Sequence, residues 1–359
     1  MLFAEGVKSK DSKAFYSFKE KTMNFFGRFP SARPRRLRAH GWLRDMVQET
    51  RLHPSDLVLP LFIRPPEAAP DIASIPGVRR WTIAELPQII DQTLEAGILA
   101  VDLFSLVSPE LKTPEGKEAF NPENLVCQAV RAIKKMAPHL GVITDVALDP
   151  YTSHGHDGVW NGQYVDNDLS LEQLAKQALV HVEAGADIVA PSDMMDGRVA
   201  AIRQTLDAHH FQDRAILSYA AKYASAFYGP FREAVGAVKL PPQNGRSVGD
   251  KKTYQMNPAN AEEALRAVAL DLQEGADMVM VKPGLPYLDI IARVRQTFSA
   301  PTFAYQVSGE YSMIKAAAAQ GWVCEHDAME ESLIALKRAG TTGIFTYAAL
   351  EVAKRLKDS

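Results

Sequence analysis

Cysteine is nearly absent from this chain. Only Cys127 and Cys324 occur in 359 residues, far apart and outside any CxxC spacing. That excludes a disulfide framework and a thiolate metal cluster, and it points to a reducing compartment. Long apolar runs are missing too: none approaches the roughly 18 residues of a membrane span, and no signal-peptide apolar region follows Met1. No membrane partner is expected, and the cytoplasm is the expected location. A strong excess of one charge is also lacking, the net charge being -3. What the chain does have is apolar mass. With 47% of its residues hydrophobic, it can form one large domain of barrel size.

Basic charge is concentrated at the start. Residues 1–40 hold ten Lys or Arg against three acids and close on Arg33-Pro34-Arg35-Arg36-Leu37-Arg38. Such a run reads as a nucleic-acid arm or an organelle transit peptide, although Glu5, Asp11 and Glu20 count against the second. Phe15, Tyr16, Phe18, Phe25, Phe26 and Phe29 favour a third reading, an extended arm packed on a neighbouring subunit, because so apolar a segment needs a surface to cover. Residues 1–50 are therefore assigned to an oligomer-contacting arm, and residues 51–359 to a catalytic domain.

From residue 57 onward one step repeats. An amphipathic stretch ends in a small residue and glycine, and a short β-rich run follows: Gly97 before Val101 to Phe104, Gly185 before Ile188 to Ala190, Gly275 before Met278 to Val281, Gly340 before Ile344 to Thr346. Glycine just past a helix end supplies a left-handed turn, and buried parallel strands read as unbroken apolar runs. Leu57 to Ile63, Val142 to Leu148, Ala215 to Tyr219 and Thr302 to Val307 bring the candidate strands to eight, separated by helical patterns such as Leu171 to Val182 and Ala261 to Leu272. This pattern predicts an α/β fold, a (βα)8 TIM barrel, with a doubly wound open sheet as the alternative.

In such a barrel the active site lies at the C-terminal ends of the strands. The residues there are Asp145 and Asp149, Ser192 and Asp193, Lys222, Lys282, Ser308 and Tyr347. Lys222 and Lys282 close successive apolar runs with no carboxylate immediately beside either in sequence. A lysine amine attacks a carbonyl only when neutral, so desolvation or a neighbouring cation must lower its pKa. Two ammonium groups in one barrel mouth supply both devices, which points to imine chemistry. Lysines at strand ends also occur simply where strands reach water, and Asp145 and Asp193 also fit as buried ion-pair partners.

A family resemblance rests on five segments in unbroken order. They are Asp145-Val-Ala-Leu-Asp149-Pro-Tyr151-Thr-Ser-His154-Gly-His156-Asp157-Gly, Ala190-Pro-Ser192-Asp193-Met-Met-Asp196-Gly-Arg198, Ser218-Tyr-Ala-Ala-Lys222-Tyr-Ala-Ser-Ala-Phe-Tyr228-Gly-Pro-Phe231-Arg232, Val281-Lys282-Pro283-Gly284 and Tyr305-Gln-Val-Ser308-Gly-Glu310. Together they resemble the porphobilinogen synthases, or 5-aminolevulinate dehydratases, from about Arg33 to the C-terminus. The resemblance implies condensation of two 5-aminolevulinate molecules to porphobilinogen with loss of two waters, in tetrapyrrole (haem, chlorophyll) biosynthesis. It implies Schiff bases on both lysines, with Asp145 and Ser192 as further catalytic groups. Lys282 then takes the substrate that becomes the propionate side, with Ser308 and Tyr347 on its carboxylate. Lys222 takes the acetate-side substrate, whose carboxylate meets Arg232, Lys251 and Gln255, with Phe231 in the same site. A homo-oligomer, hexamer or octamer, is implied, and no organic cofactor.

Metal dependence is where the chain departs from that pattern. Zinc-type members carry three cysteines where this chain has Ala147, Asp149 and Asp157, so zinc is not expected. A remote magnesium site in other members uses a glutamate where Ala267 stands, so an oxygen ligand for a hard cation is missing. The expectation is a catalyst without a divalent metal, with magnesium or a monovalent ion as an alternative activator. His154 and His156 read as structural. The breaker-rich segment Val238 to Asn257, with Pro241, Pro242, Gly245 and Gly249, reads as a lid carrying Lys251, Tyr254 and Gln255. Two other classes stay open: a metal-dependent barrel hydrolase built on His154, His156, Asp145 and Asp193, and a basic-armed nucleic-acid binder. The hydrolase has no use for two lysines, and the negative body disfavours a broad nucleic-acid surface, so no nucleic-acid partner is expected.

Overall fold

The structure is a computed structural model, and it describes residues 27–236 and 250–358. Contacts divide the chain into two units, residues 1–49 and 50–359. In the first, the described part holds a 3-10 turn, Pro34–Arg38, and a short helix, Gly41–Met46, neither with a buried residue. Most of the aromatic residues assigned to an arm lie outside the described residues.

The second unit is built on eight parallel strands: β1 Leu57–Ile63, β2 Ala100–Ser105, β3 Gly141–Val146, β4 Ile188–Pro191, β5 Ala215–Lys222, β6 Met278–Lys282, β7 Thr302–Gln306 and β8 Gly343–Thr346. Each pairs with the next, and β8 returns to β1 through Leu57 opposite Ile344 and Val58 opposite Phe345, so the sheet closes. Closure excludes the open doubly wound sheet. Eight helices follow the strands in turn: α1 Leu86–Glu95, α2 Leu125–Met136, α3 Asn167–Glu183, α4 Arg198–Ala208, α5 Glu262–Gln273, α6 Leu288–Phe298, α7 Glu325–Ala339 and α8 Ala349–Asp358. Two additional helices among the described residues are Gly229–Ala234, between β5 and α5, and Ser308–Ala319, between β7 and α7. No helix among the described residues is long and apolar enough to cross a membrane.

Local chemistry sets these elements. Asn124 and Asp166 cap α2 and α3 by accepting from Cys127 N (2.8 Å) and Leu169 N (3.1 Å), satisfying amides that a helix start leaves open. Gly97, Gly185, Gly275 and Gly340 have φ of 79°, 111°, 109° and 115°. Those are the left-handed turns that send each helix back into a strand. Strand three ends at Val146, two residues earlier than its apolar run predicts, because Leu148 N bonds Asp157 O and Leu148 O accepts from Tyr151 and Thr152.

One irregularity matters for the site. Between β5 and β6 the pairing runs Ser218 opposite Val279, then Ala221 opposite Val281, so β5 carries one extra residue. Unbroken register would put Ala221 opposite Lys282; the bulge puts Lys222 there instead.

Beneath the mouth, Arg198 at the start of α4 forms a bidentate pair with Asp271 on α5, at 3.1 and 3.0 Å, and the Ser218 hydroxyl donates to the same carboxylate at 2.6 Å. Arg198 Nε also lies 3.6 Å from Asp193 Oδ2, an ion-pair distance. A buried ion left without its partner costs about 3–5 kcal/mol. Asp271→Ala is therefore expected to lower unfolding stability by about that amount, read by urea or guanidinium titration; a change under about 1 kcal/mol would mean that water reaches Arg198.

Candidate active site

The two lysines end neighbouring strands in register, Lys222 opposite Lys282. Both are buried, at 6% exposure each, yet their surroundings differ. Lys282 Nζ lies among rings: 4.4 Å from the Tyr305 centroid, 4.9 Å from Tyr219, 5.2 Å from Phe231 and 5.7 Å from Tyr228. Burial, then the Lys222 charge, brings the Lys282 amine down to about 7. The neutral, nucleophilic form is thus favoured over that of an ordinary lysine.

Lys222 has a carboxylate after all. Its ammonium donates to Asp157 Oδ1 at 3.1 Å and to the Ser192 carbonyl oxygen. Asp157 is remote in sequence and arrives on the loop after β3, so the absence of a carboxylate beside Lys222 in sequence does not extend to its surroundings in space. The same carboxylate takes Lys251 Nζ at 2.8 Å and the Tyr254 hydroxyl at 2.8 Å. Burial pushes the Asp157 carboxyl up, but Lys222, Lys251 and the hydrogen bonds outweigh it and hold it well below the usual carboxylate range. Lys251 also reaches Asp149 at 3.1 Å, and despite its burial these two acids keep its ammonium protonated beyond the usual lysine range.

Asp145 completes the cluster. Burial and then Asp149 raise its carboxyl to about 6, against a hydrogen bond from Ser192 and the attraction of both lysines. An acid poised there can take and return protons near neutral pH. Lys222, Lys282, Asp145, Ser192, Arg232, Lys251, Gln255 and Phe231 all line one cleft, with Asp149, Phe104 and Tyr228 beside them. Ser308 and Tyr347 do not line it directly. The Ser308 hydroxyl accepts from Phe231 N at 3.0 Å, and the Tyr347 hydroxyl meets that of Tyr305 at 3.3 Å, one residue behind Lys282. Glu310 ties the ends of β6 and β7 together, accepting from Leu285 N (2.6 Å) and Val307 N (2.7 Å). Residues 250–255 carry the described end of the lid assignment; its remainder before Asp250 lies outside the described residues.

His154 and His156 do not converge with Asp145 and Asp193. His154 bonds Pro114 O (3.0 Å), while His156 stacks on Trp160 and bonds the Tyr254 hydroxyl (3.0 Å). Among the described residues only Glu325, His326 and Glu351 cluster as metal-ligand types, and Lys315 already pairs with both of those acids. The barrel-hydrolase reading therefore fails. The zinc test fails as well: the strand-three segment offers no sulfur, and Lys251 bridges its two carboxylates, Asp149 and Asp157. Ala267 packs against the hydrophobic core and brings no oxygen ligand.

The sequence pattern of "Delta-aminolevulinic acid dehydratase" matches residues 31–355. The chain belongs to that family. A delta-aminolevulinic acid dehydratase of Bradyrhizobium diazoefficiens is 55% identical over 326 residues, covering 90% of this chain and 91% of that protein. One of Rhodobacter capsulatus is 50% identical over 327 residues, covering 91% and 97%. Among solved structures, the delta-aminolevulinic acid dehydratase (porphobilinogen synthase) of Toxoplasma gondii ME49, in complex with the reaction product porphobilinogen, superposes with a TM-score of 0.88 at 46% identity, covering 91% of this dehydratase and 92% of that chain. Asp157 and Tyr254 are the site residues the sequence reading left without a role. The signal for Asp157 is an acid inside the His-Gly-His-Asp motif, at a position where zinc-type members carry a cysteine.

Proposed function

We propose that this dehydratase condenses two 5-aminolevulinate molecules with each held as an imine, on Lys282 and on Lys222. One water leaves as each imine forms, and both lysines are released as the carbon–carbon and carbon–nitrogen bonds close the pyrrole, which accounts for the two waters lost. The observation that carries this reading is the register pairing of Lys222 with Lys282 in one buried cleft. Lys282, whose amine burial and Lys222 depress, takes its substrate first; Lys222, beside Asp157, takes the second. Asp145, with Ser192, moves the proton that turns an imine into a carbon nucleophile. Arg232, which forms no ion pair among the described residues, meets the acetate-side carboxylate with Gln255, and Lys251 shares itself between that carboxylate and its two acids. Ser308 and Tyr347 keep hydroxyl protons for the propionate-side carboxylate. Borohydride reduction with 5-aminolevulinate, followed by peptide mass analysis, tests the reading; a parent enzyme that turns over but leaves no lysine adduct overturns it.

The neutral amine is the reactive form, so activity is lost as pH falls through the Lys282 value. We expect the acid limb of kcat/KM to have its midpoint near 7. A limb that rises only near the ordinary lysine value of about 10.4 contradicts the proposed depression.

The reading needs no divalent metal, since an ammonium already satisfies Asp149 and Asp157 and Ala267 replaces a carboxylate. It also takes the chain as a cytoplasmic homo-oligomer, supported by the free thiols Cys127 and Cys324 and by an aromatic N-terminal segment that needs cover. A ligand shifts an assembly only by binding one state better than another. Mass by light scattering and pyrrole formation are therefore both expected to stay unchanged in millimolar magnesium or chelator; a chelator that lowers both reveals a cation site.

A further inference from the structure

Asp102 lies mid-strand in β2, fully buried, opposite Pro60 and Ile143. Its Oδ2 accepts from the Tyr219 hydroxyl at 3.3 Å, while Oδ1 has no hydrogen-bond partner. β2 and β5 are not neighbours, so this contact crosses the barrel interior. A half-satisfied acid there costs stability that an apolar residue would not, and none of the steps above uses it. The ring of Tyr219 lies 4.9 Å from Lys282 Nζ. The ionisable groups facing Asp102 are Asp145 from β3, Tyr219 from β5, Lys282 from β6, Tyr305 from β7 and Tyr347 after β8. Lys282 is the one cation among them.

We propose that Asp102 is a positioning residue for Lys282: it fixes the Tyr219 ring beside the amine and is the carboxyl in the barrel floor that answers positive charge on that nitrogen. The inference rests on Lys282 as an imine-forming lysine. Burial and then Asp145 push the Asp102 carboxyl well above its usual range, while Lys282 pulls it down. The two groups are thus interdependent, and in a dry site charge on one favours charge on the other. That has opposite consequences at two stages. In the free enzyme Asp102 favours the ammonium over the nucleophilic amine; after substrate binds, it favours the cationic imine.

The test is Asp102→Asn, which keeps an acceptor for Tyr219 and removes the ionisable group. The acid limb of kcat/KM is expected to move to lower pH by about half a unit or more, kcat to fall roughly tenfold, and KM to stay within about twofold, since Asp102 does not reach substrate. Loss of packing alone would lower the melting temperature without moving the limb. If the Asn variant still takes the borohydride adduct on Lys282 but keeps the parent's limb and kcat, the inference is overturned and the imine reading stands. A parent that takes no adduct sinks the imine reading itself. Should Asp102→Asn not fold, the double variant Asp102→Leu with Tyr219→Phe decides. It removes the carboxyl and its hydrogen-bond donor together, leaving no buried polar group unpaired, and parent-like kcat and limb in it overturn the proposal.

Discussion

Lys282→Ala is expected to form no measurable porphobilinogen, a loss of at least roughly 10⁴-fold, in a protein that melts like its parent. The loss is large because the group removed is the nucleophile, and among the described residues no other amine lies over the rings of Tyr219, Tyr228, Phe231 and Tyr305 to replace it. Stability is spared for the same reason. The Lys282 ammonium is costly to bury and has no ion pair among the described residues, so truncation removes an unfavourable charge from the end of a strand. Lys222→Ala is the control. It should lose turnover as well, yet still take one borohydride-trapped substrate on Lys282. Pyrrole colour and intact mass read both variants together. A folded Lys282→Ala enzyme that turns over at even a hundredth of the parent rate sinks the assignment.

Apolar periodicity and glycine punctuation reported the barrel because they record burial and left-handed turns, which belong to single segments. They missed what depends on partners far along the chain. Val142 to Leu148 reads as one strand since Ala147 and Leu148 are apolar, but the amide of Leu148 is claimed by Asp157 O, and that bond ends β3. Nothing near Lys222 announces a carboxylate; Asp157 reaches it from 65 residues away. The extra residue in β5 is equally silent, because Ser218 to Ala221 is buried throughout and only pairing with β6 exposes the slip. Ser308 and Tyr347 were placed at strand ends as the pattern requires. Their hydroxyls accept from Phe231 N and from the Tyr305 hydroxyl, partners that strand position alone does not encode.

Asp157→Asn should cost at least roughly a hundredfold in kcat/KM while leaving Lys282 labelled by substrate and borohydride. In the parent, one carboxylate at 1% exposure holds Lys222 and Lys251 and fixes Tyr254. An asparagine of the same shape keeps an oxygen for one donor but supplies no charge, so two ammonium groups are left facing one another with Asp149 as the remaining acid in contact. They then separate or lose a proton. Either way Lys222 and Lys251 leave the positions from which they bind the second substrate, and Tyr254 keeps only its bonds to His156 and to the residue-157 amide. The first imine still forms because Lys282 itself makes no hydrogen bond or ion pair with Asp157, whose carboxylate is taken by Lys222, Lys251 and Tyr254. The signature is therefore an enzyme loaded at one lysine and stalled before the second, with a raised KM and a trapped single adduct. An Asn variant within tenfold of the parent would mean that Asp149 alone can hold both cations, and that the shared carboxylate is packing and not catalytic architecture.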